Sequence, residues 1–166
     1  MGAKIPRQIA ETKLSRQLAA EGLVRIYQGK VRDTYELPYY PSLLLLVATD
    51  RLSNFDFVLS CLVPEKGRIL TQLTIFWLTE VFNKDIRHHL VASGQEIDHY
   101  LPQKLRNNQE LWQRALVVCK LEMIPVECIA RGYLTGSGWK AYQMNRTVCG
   151  HVLPGSLHDG ARLPAP

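Results

Sequence analysis

Long apolar runs are missing from this chain of 166 residues; the longest, Leu43 to Ala48, is far too short to cross a bilayer. A signal-peptide core is missing too, because the N-terminal stretch is charged and amphipathic in pattern. Cysteine is scarce. Cys61, Cys119, Cys128 and Cys149 form no C-x-x-C pair, which excludes zinc-finger spacing and makes buried, reduced thiols the expectation. His88-His89, His99, His151 and His158 show no helical i, i+4 pairing, so no metal site is expected on them. No run of five Lys/Arg residues, RNA-binding aromatic signature, internal repeat or low-complexity tract occurs. These absences point to a cytoplasmic globular protein with no membrane or nucleic-acid partner.

What is present fits a folded chain. Hydrophobic residues make up 46% and charged residues 21%, which argues against disorder. The net charge of +5 and a pI near 9.1 favour anionic partners. Because the basic residues are dispersed, small phosphorylated ligands are preferred over nucleic acid. The length suits one domain with a real core, or one and a half smaller ones.

Periodicity predicts a helix over Pro6–Ala20, with proline at its first turn and Gly22 ending it. Leu23–Tyr27 and Val31–Leu37 read as a hairpin around Gln28-Gly29-Lys30. Leu43–Thr49 reads as a central strand, followed by a polar loop over Asp50–Asp56 and a strand over Phe57–Val63. Gly67–Phe82 carries a helical apolar period. Residues 83–113 read as a short strand plus loops. Ala115–Leu121 is expected to be a strand, paired antiparallel with Val126–Tyr133, and Gly138–Met144 a short helix. Clustered strands and few helices predict an α+β fold. Asn107–Arg114 is the expected boundary between lobes, giving a β-rich α+β lobe over 1–113 and the beginning of a second lobe over 114–166.

Four segments can carry chemistry. Gly29-Lys30-Val31-Arg32 lies at a hairpin bend, where glycine lets backbone N–H groups approach a phosphate; an ordinary hairpin with exposed cations has the same look. Thr49 to Asp56 follows the most buried strand. It either aims Ser53 and Asp56 at a polar substrate or forms a solvated turn in which Asp50 and Asp56 cap backbone groups. Lys120-Leu121-Glu122-Met123 either offers backbone groups and apolar walls to an adenine ring or is a plain turn. Arg131-Gly132-Tyr133-Leu134-Thr135-Gly136-Ser137-Gly138 is the strongest local signal: an arginine fork, three glycines and two hydroxyls. An anion site there and a helix start capped by Ser137 use the same geometry.

Taken together, the ordered motifs resemble one family. They are Gly29-Lys30-Val31-Arg32-Asp33, Ala48-Thr49-Asp50-Arg51-Leu52-Ser53-Asn54-Phe55-Asp56 and Lys66-Gly67-Arg68-Ile69-Leu70-Thr71-Gln72-Leu73, then Pro125-Val126-Glu127-Cys128 and Arg131 to Trp139. From about Tyr27 to Pro166 the chain resembles the N-terminal part of the SAICAR synthetases (phosphoribosylaminoimidazole-succinocarboxamide synthases). The resemblance implies an ATP-dependent ligase of de novo purine biosynthesis joining L-aspartate to carboxyaminoimidazole ribonucleotide through an acyl phosphate. It implies that Gly29, Lys30, Val31 and Arg32 cover the ATP phosphates, and that Lys120, Glu122 and Met123 line the adenine. Ser53, Asp56, Arg131, Gly136 and Ser137 would face the other substrates. Members of the family continue past Leu163-Pro164-Ala165-Pro166 into a further motif and acidic residues that hold Mg²⁺. The expectation is therefore a C-terminally truncated second, ATP-binding lobe with its metal ligands outside this chain and poorly covered apolar residues at 115–121 and 129–134. The alternative is a non-catalytic fragment that binds nucleotide or substrate, with homo-oligomerisation left open.

Overall fold

Thr12 begins the first helix by accepting the Ser15 backbone N–H on its hydroxyl at 3.0 Å, and α1 runs Lys13–Ala20 until Gly22, at φ +85°, reverses the chain. The structure is a computed structural model that describes residue 9 and residues 11–54, 57–82 and 85–163. The expected helix start at Pro6 lies outside those residues. Two compact units divide the chain after Glu122, and each is described by itself.

In the first unit the elements after α1 are β1 (Arg25–Gln28), β2 (Arg32–Glu36), β3 (Leu43–Ala48), β4 (Arg51–Asn54), β5 (Phe57–Leu62) and α2 (Lys66–Phe76). A π-helical turn, Trp77–Val81, extends α2; β6 (Leu90–Ser93), two 3₁₀ turns, α3 (Gln109–Arg114) and β7 (Ala115–Cys119) complete the unit. Five strands form one antiparallel sheet in the order β1-β2-β3-β7-β6, and β4 pairs with β5 separately. This is the α+β architecture that the clustered strands predict.

Alternation of side chains sets the two sheet faces. Tyr35, Leu45, Val47, Ala115 and Val117 turn to one side and join Leu14, Leu18, Ile97, Leu105 and Leu111 in the core. The other side carries the cross-strand rows Thr34–Leu46–Leu116 and Glu36–Leu44–Val118, with Arg32 beside Ala48.

Several expectations need correction. The polar loop over Asp50–Asp56 contains β4, because Ser53 and Asn54 pair with Val58 and Phe57. Ala115–Cys119 does not pair with 126–133. It sits between β3 and β6, where Leu44–Val118, Leu45–Val117 and Leu46–Leu116 match apolar rows on both sides. Its residues 115–118 are buried, so they are covered, whereas residues 120–130 are exposed and form no strand. Exposure of a run on both faces leaves nothing to drive its pairing. Asn107–Arg114 is no linker: Asn108 caps α3 and Leu111 is fully buried. Cys61, Cys128 and Cys149 are exposed and only Cys119 is half-buried, so the thiols are free but not sequestered.

The second unit is built on β8 (Tyr133–Leu134), α4 (Gly136–Asn145), β9 (Thr147–Val148), β10 (His151–Val152) and β11 (Ala161–Arg162). β8 pairs with β11 and β9 with β10. Tyr142, on α4, is its anchor. The Tyr142 hydroxyl donates to the Pro154 carbonyl at 2.6 Å and accepts from Arg146 at 2.8 Å and the Leu157 N–H at 3.2 Å.

Candidate functional site

The bend between β1 and β2 is closed by the Gly29 N–H donating to the Arg32 carbonyl at 2.7 Å. A Cβ at position 29 would come 2.7 Å from that same oxygen, so only glycine fits this turn. Beneath the loop lies Arg51, whose side chain is 0% exposed, paired with Asp33, also 0% exposed. Its Nη2 donates to Asp33 and, at 2.9 Å, to the Gly29 carbonyl; its Nε donates to the Lys30 carbonyl at 3.3 Å. Thr49 Oγ1 then donates to the Val31 carbonyl at 2.9 Å. Three consecutive loop carbonyls are thus drawn inward. Every described peptide bond is trans, so the N–H groups that follow the first two carbonyls, of Lys30 and Val31, turn to the opposite side.

Asp33 is shared more widely. Ser15 Oγ donates to it at 2.9 Å, and Arg25 Nη1 stands 3.7 Å away. Arg25 also grips Glu11 with both nitrogens, at 2.9 and 2.5 Å, and this contact holds the Glu11 carboxyl below its ordinary range. The same bond to Glu11 raises the Arg25 guanidinium. Burial pushes the neighbouring Tyr35 phenol up. These groups join α1, β1 and β2 under the hairpin.

Along β2, Arg32 and Glu36 share the face opposite the core, separated by about 13 Å at the usual rise per residue. Lys120 stands at the Glu36 end, with Nζ 3.9 Å from Glu36 and its N–H donating to the Ser42 carbonyl at 2.8 Å. The glycine hairpin and Lys120 therefore mark the two ends of β2. His89, just before β6, is lowered first by burial and then by His88 and Arg32, which favours its neutral form near pH 7. Glu122 and Met123 are exposed and fall on either side of the division between the units. Ser53 lies on β4, opposite Val58 of β5, and Asp56 lies outside the described residues. Asp50 behaves as a cap: it accepts the Gly67 N–H at 2.9 Å and Arg114 Nη1 at 3.0 Å.

In the second unit Arg131, Gly136 and Ser137 come together. Arg131 Nη1 donates to Thr135 Oγ1 and Nη2 to Ser137 Oγ, each at 3.4 Å, and Gly136 adopts φ +56° beside the guanidinium. Because α4 starts at Gly136, Ser137 sits inside its first turn rather than at the cap, and the cap position is Thr135. A guanidinium, two hydroxyls and a helix N-terminus here make a set of donors suited to an anion. Among the described residues, no group of three or more His, Cys, Asp or Glu side chains could hold a metal. No helix among them is long and apolar enough to cross a membrane.

Arg51 is the residue that motif reading placed without a role. A polar residue at position 33, in step with core-facing Tyr35, was the available signal: a buried carboxylate requires a cation.

An antiparallel sheet carrying a glycine hairpin, followed by an arginine–glycine–hydroxyl loop at a helix start, defines an α+β protein with two glycine-rich loops. A family model described as SAICAR synthetase matches residues 25–166, and the chain belongs to that family. A phosphoribosylaminoimidazole-succinocarboxamide synthase from Desulfosudis oleivorans is 48% identical over 147 residues, covering 87% of this chain and 47% of the relative. Among solved structures, SAICAR-synthase from Saccharomyces cerevisiae complexed with SAICAR superposes with a TM-score of 0.78 at 40% identity, covering 95% of this chain and 52% of that one. A type-2 SAICAR synthetase in complex with ADP, 21% identical with a TM-score of 0.57, covers 84% of this chain and 46% of that one and shares the fold. The chain spans about half the length of the curated relatives it matches.

Proposed function

We propose that this chain supplies the nucleotide hairpin and part of the substrate site of a carbon–nitrogen ligase of de novo purine biosynthesis. The reaction joins L-aspartate to carboxyaminoimidazole ribonucleotide and yields SAICAR, ADP and phosphate. The observation that carries this reading is the match to named synthases across the span that holds both anion-binding elements. In the proposed roles, Gly29, Lys30, Val31 and Arg32 cover the ATP phosphates, while Lys120, Glu122 and Met123 meet the adenine. Ser53, Asp56, Arg131, Gly136 and Ser137 hold the ribonucleotide and aspartate. A cytoplasmic location belongs to the same reading.

The chemistry follows from a poor electrophile. A free carboxylate resists attack by an amine; transfer of the γ-phosphoryl group to its oxygen gives an acyl phosphate and ADP. The aspartate amine then attacks the carbonyl carbon, the C–O bond to phosphate breaks, and the nitrogen loses a proton. Positioning and neutralisation of the phosphate charges are what the loop amides and Arg131 can contribute.

Calorimetric titration of carboxyaminoimidazole ribonucleotide into the chain and into Arg131→Ala tests the assignment. Binding at least about tenfold weaker is expected in the variant, the scale of a lost charged hydrogen bond. Equal affinity removes Arg131 from the site. A coupled assay with ATP, aspartate and the ribonucleotide separates turnover from binding alone.

A further inference from the structure

We propose that Arg51 is a positioning residue: from inside the core it fixes the peptide planes that carry the Gly29 and Lys30 carbonyls so that the loop presents its outward N–H groups to the phosphates of a nucleotide. The inference rests on the reading of this hairpin as the phosphate-covering one. Arg51 has no exposed surface and cannot touch the ligand itself. Its effect must pass through the loop.

Stability does not account for the arrangement. Burying an ion pair carries a large desolvation penalty, and apolar replacements of such pairs are often neutral or stabilising. Asp33 also has a second cation close by in Arg25. What only the Arg51 fork supplies is direction. One nitrogen is shared between Asp33 and the Gly29 carbonyl, another donates to the Lys30 carbonyl, and a third reaches Asp33 at 3.4 Å. A guanidinium has five donors in one plane, whereas an ammonium is a single point and cannot reach these acceptors together. Thr49 completes the series at Val31, and the same hydroxyl accepts the Arg51 N–H at 3.4 Å. The start of β4 is thereby tied to the loop it supports. With the carbonyls held inward, trans peptide geometry leaves a fixed set of amides on the outer side, which is how a short loop becomes an anion-binding concavity.

Two variants of the 166-residue chain test this. Arg51→Lys keeps the charge beside Asp33 but loses the fork; Thr49→Val removes the hydroxyl that donates to the Val31 carbonyl and accepts the Arg51 N–H, leaves the Thr49 backbone N–H on that carbonyl, and covers the case in which Arg51→Lys does not fold. Amide exchange without nucleotide is the first reading. The Gly29 and Thr49 amides, bonded to the Arg32 and Val31 carbonyls, should exchange at least about tenfold faster in Arg51→Lys, with β7 amides unchanged, and Thr49→Val should show a smaller change of the same pattern. Calorimetry with ATP and with adenosine is the second. ATP affinity should fall about tenfold in Arg51→Lys while adenosine affinity stays within about twofold. Unchanged loop exchange overturns the proposal, and so does an equal loss for both ligands. A wild-type chain that binds ATP no better than adenosine overturns the phosphate reading of the hairpin instead; loop exchange then decides separately whether Arg51 holds the loop.

Discussion

The two glycine loops use the same cation in opposite ways. At the β1–β2 bend the guanidinium of Arg51 is wholly enclosed and its donors point into the protein, onto a carboxylate and two loop carbonyls. Before α4, the guanidinium of Arg131 is half-buried and, among the described residues, makes two long contacts, both 3.4 Å, to hydroxyls. The first arginine is scaffold and its loop is shaped before any ligand arrives. The second is a presented donor whose best partner, in the proposed function, is an anion still to come. Burial, not residue type, separates the two roles: an enclosed charge must be satisfied internally, and a partly exposed one can be satisfied by solvent or by ligand.

The sharpest way to break this contrast is to remove the internal partner. Asp33→Ala would remove the buried carboxylate that Arg51 and Arg25 share, and loss of one member of such a pair typically costs about 3–5 kcal/mol. Urea denaturation followed by circular dichroism should show that loss, whereas Arg131→Ala should stay within about 0.5 kcal/mol of wild type, as surface changes do. If Asp33→Ala costs less than about 1 kcal/mol, the pair is not what holds the first loop, and the two arginines are more alike than their burial implies.

Much of the fold can be read from the chain because β2, β3 and β7 obey simple patterns. The continuous apolar run at Leu43–Ala48 lies at the centre of the sheet, and the glycine bend between β1 and β2 is where the turn residues place it. Pairing over distance was less legible. The apolar, strand-like run at 126–133 reads as a partner for Ala115–Leu121, yet the strand that pairs on one side of β7 is β3, far earlier in the chain. Sequence neighbours are a good guess for hairpins and carry no information on such a return. Of the candidate site, the loops were legible as glycine-rich segments, and Arg131 with Ser137 came together as the motif suggested. Arg51 was less so, since its role depends on the inward register of Asp33, signalled in the chain by its step with Tyr35 and made plain by its bond from Ser15 of α1.

A smaller test sharpens the comparison within the second unit, where few side chains are buried. Tyr142 gathers the segment around Pro154–Leu157 onto α4 with one hydroxyl. Tyr142→Phe leaves the ring, which stacks on Trp139, and removes that hydroxyl alone. The Pro154 carbonyl and Leu157 N–H then lose a partner, at a cost of about 1–3 kcal/mol where the groups stay buried. Hydrogen exchange should rise over residues 153–157 while the hairpin of the first unit keeps its protection. Exchange rising equally in both units would mean that they unfold together and that the loops are not held independently.

The smallest effect comes from an arginine–carboxylate contact in the first unit that differs from Arg51–Asp33 chiefly in exposure. Glu11 and Arg25 have side chains 42% and 27% exposed, so water screens the pair and Glu11→Gln should cost under about 1 kcal/mol. Its sign with pH is fixed. The Arg25 bond lowers the Glu11 carboxyl below its ordinary value of 4.5, so the folded state favours the ionised form more than the unfolded chain does. That contribution is fully present above the ordinary value and fades as pH falls through the lowered one. The melting-temperature difference between wild type and Glu11→Gln should therefore hold at pH 7 and shrink progressively as the pH falls below 4.5. A difference that persists in acid would mean that Glu11 acts by packing. A cost approaching that of Asp33→Ala would mean that charge pairing alone, without burial, holds the hairpin.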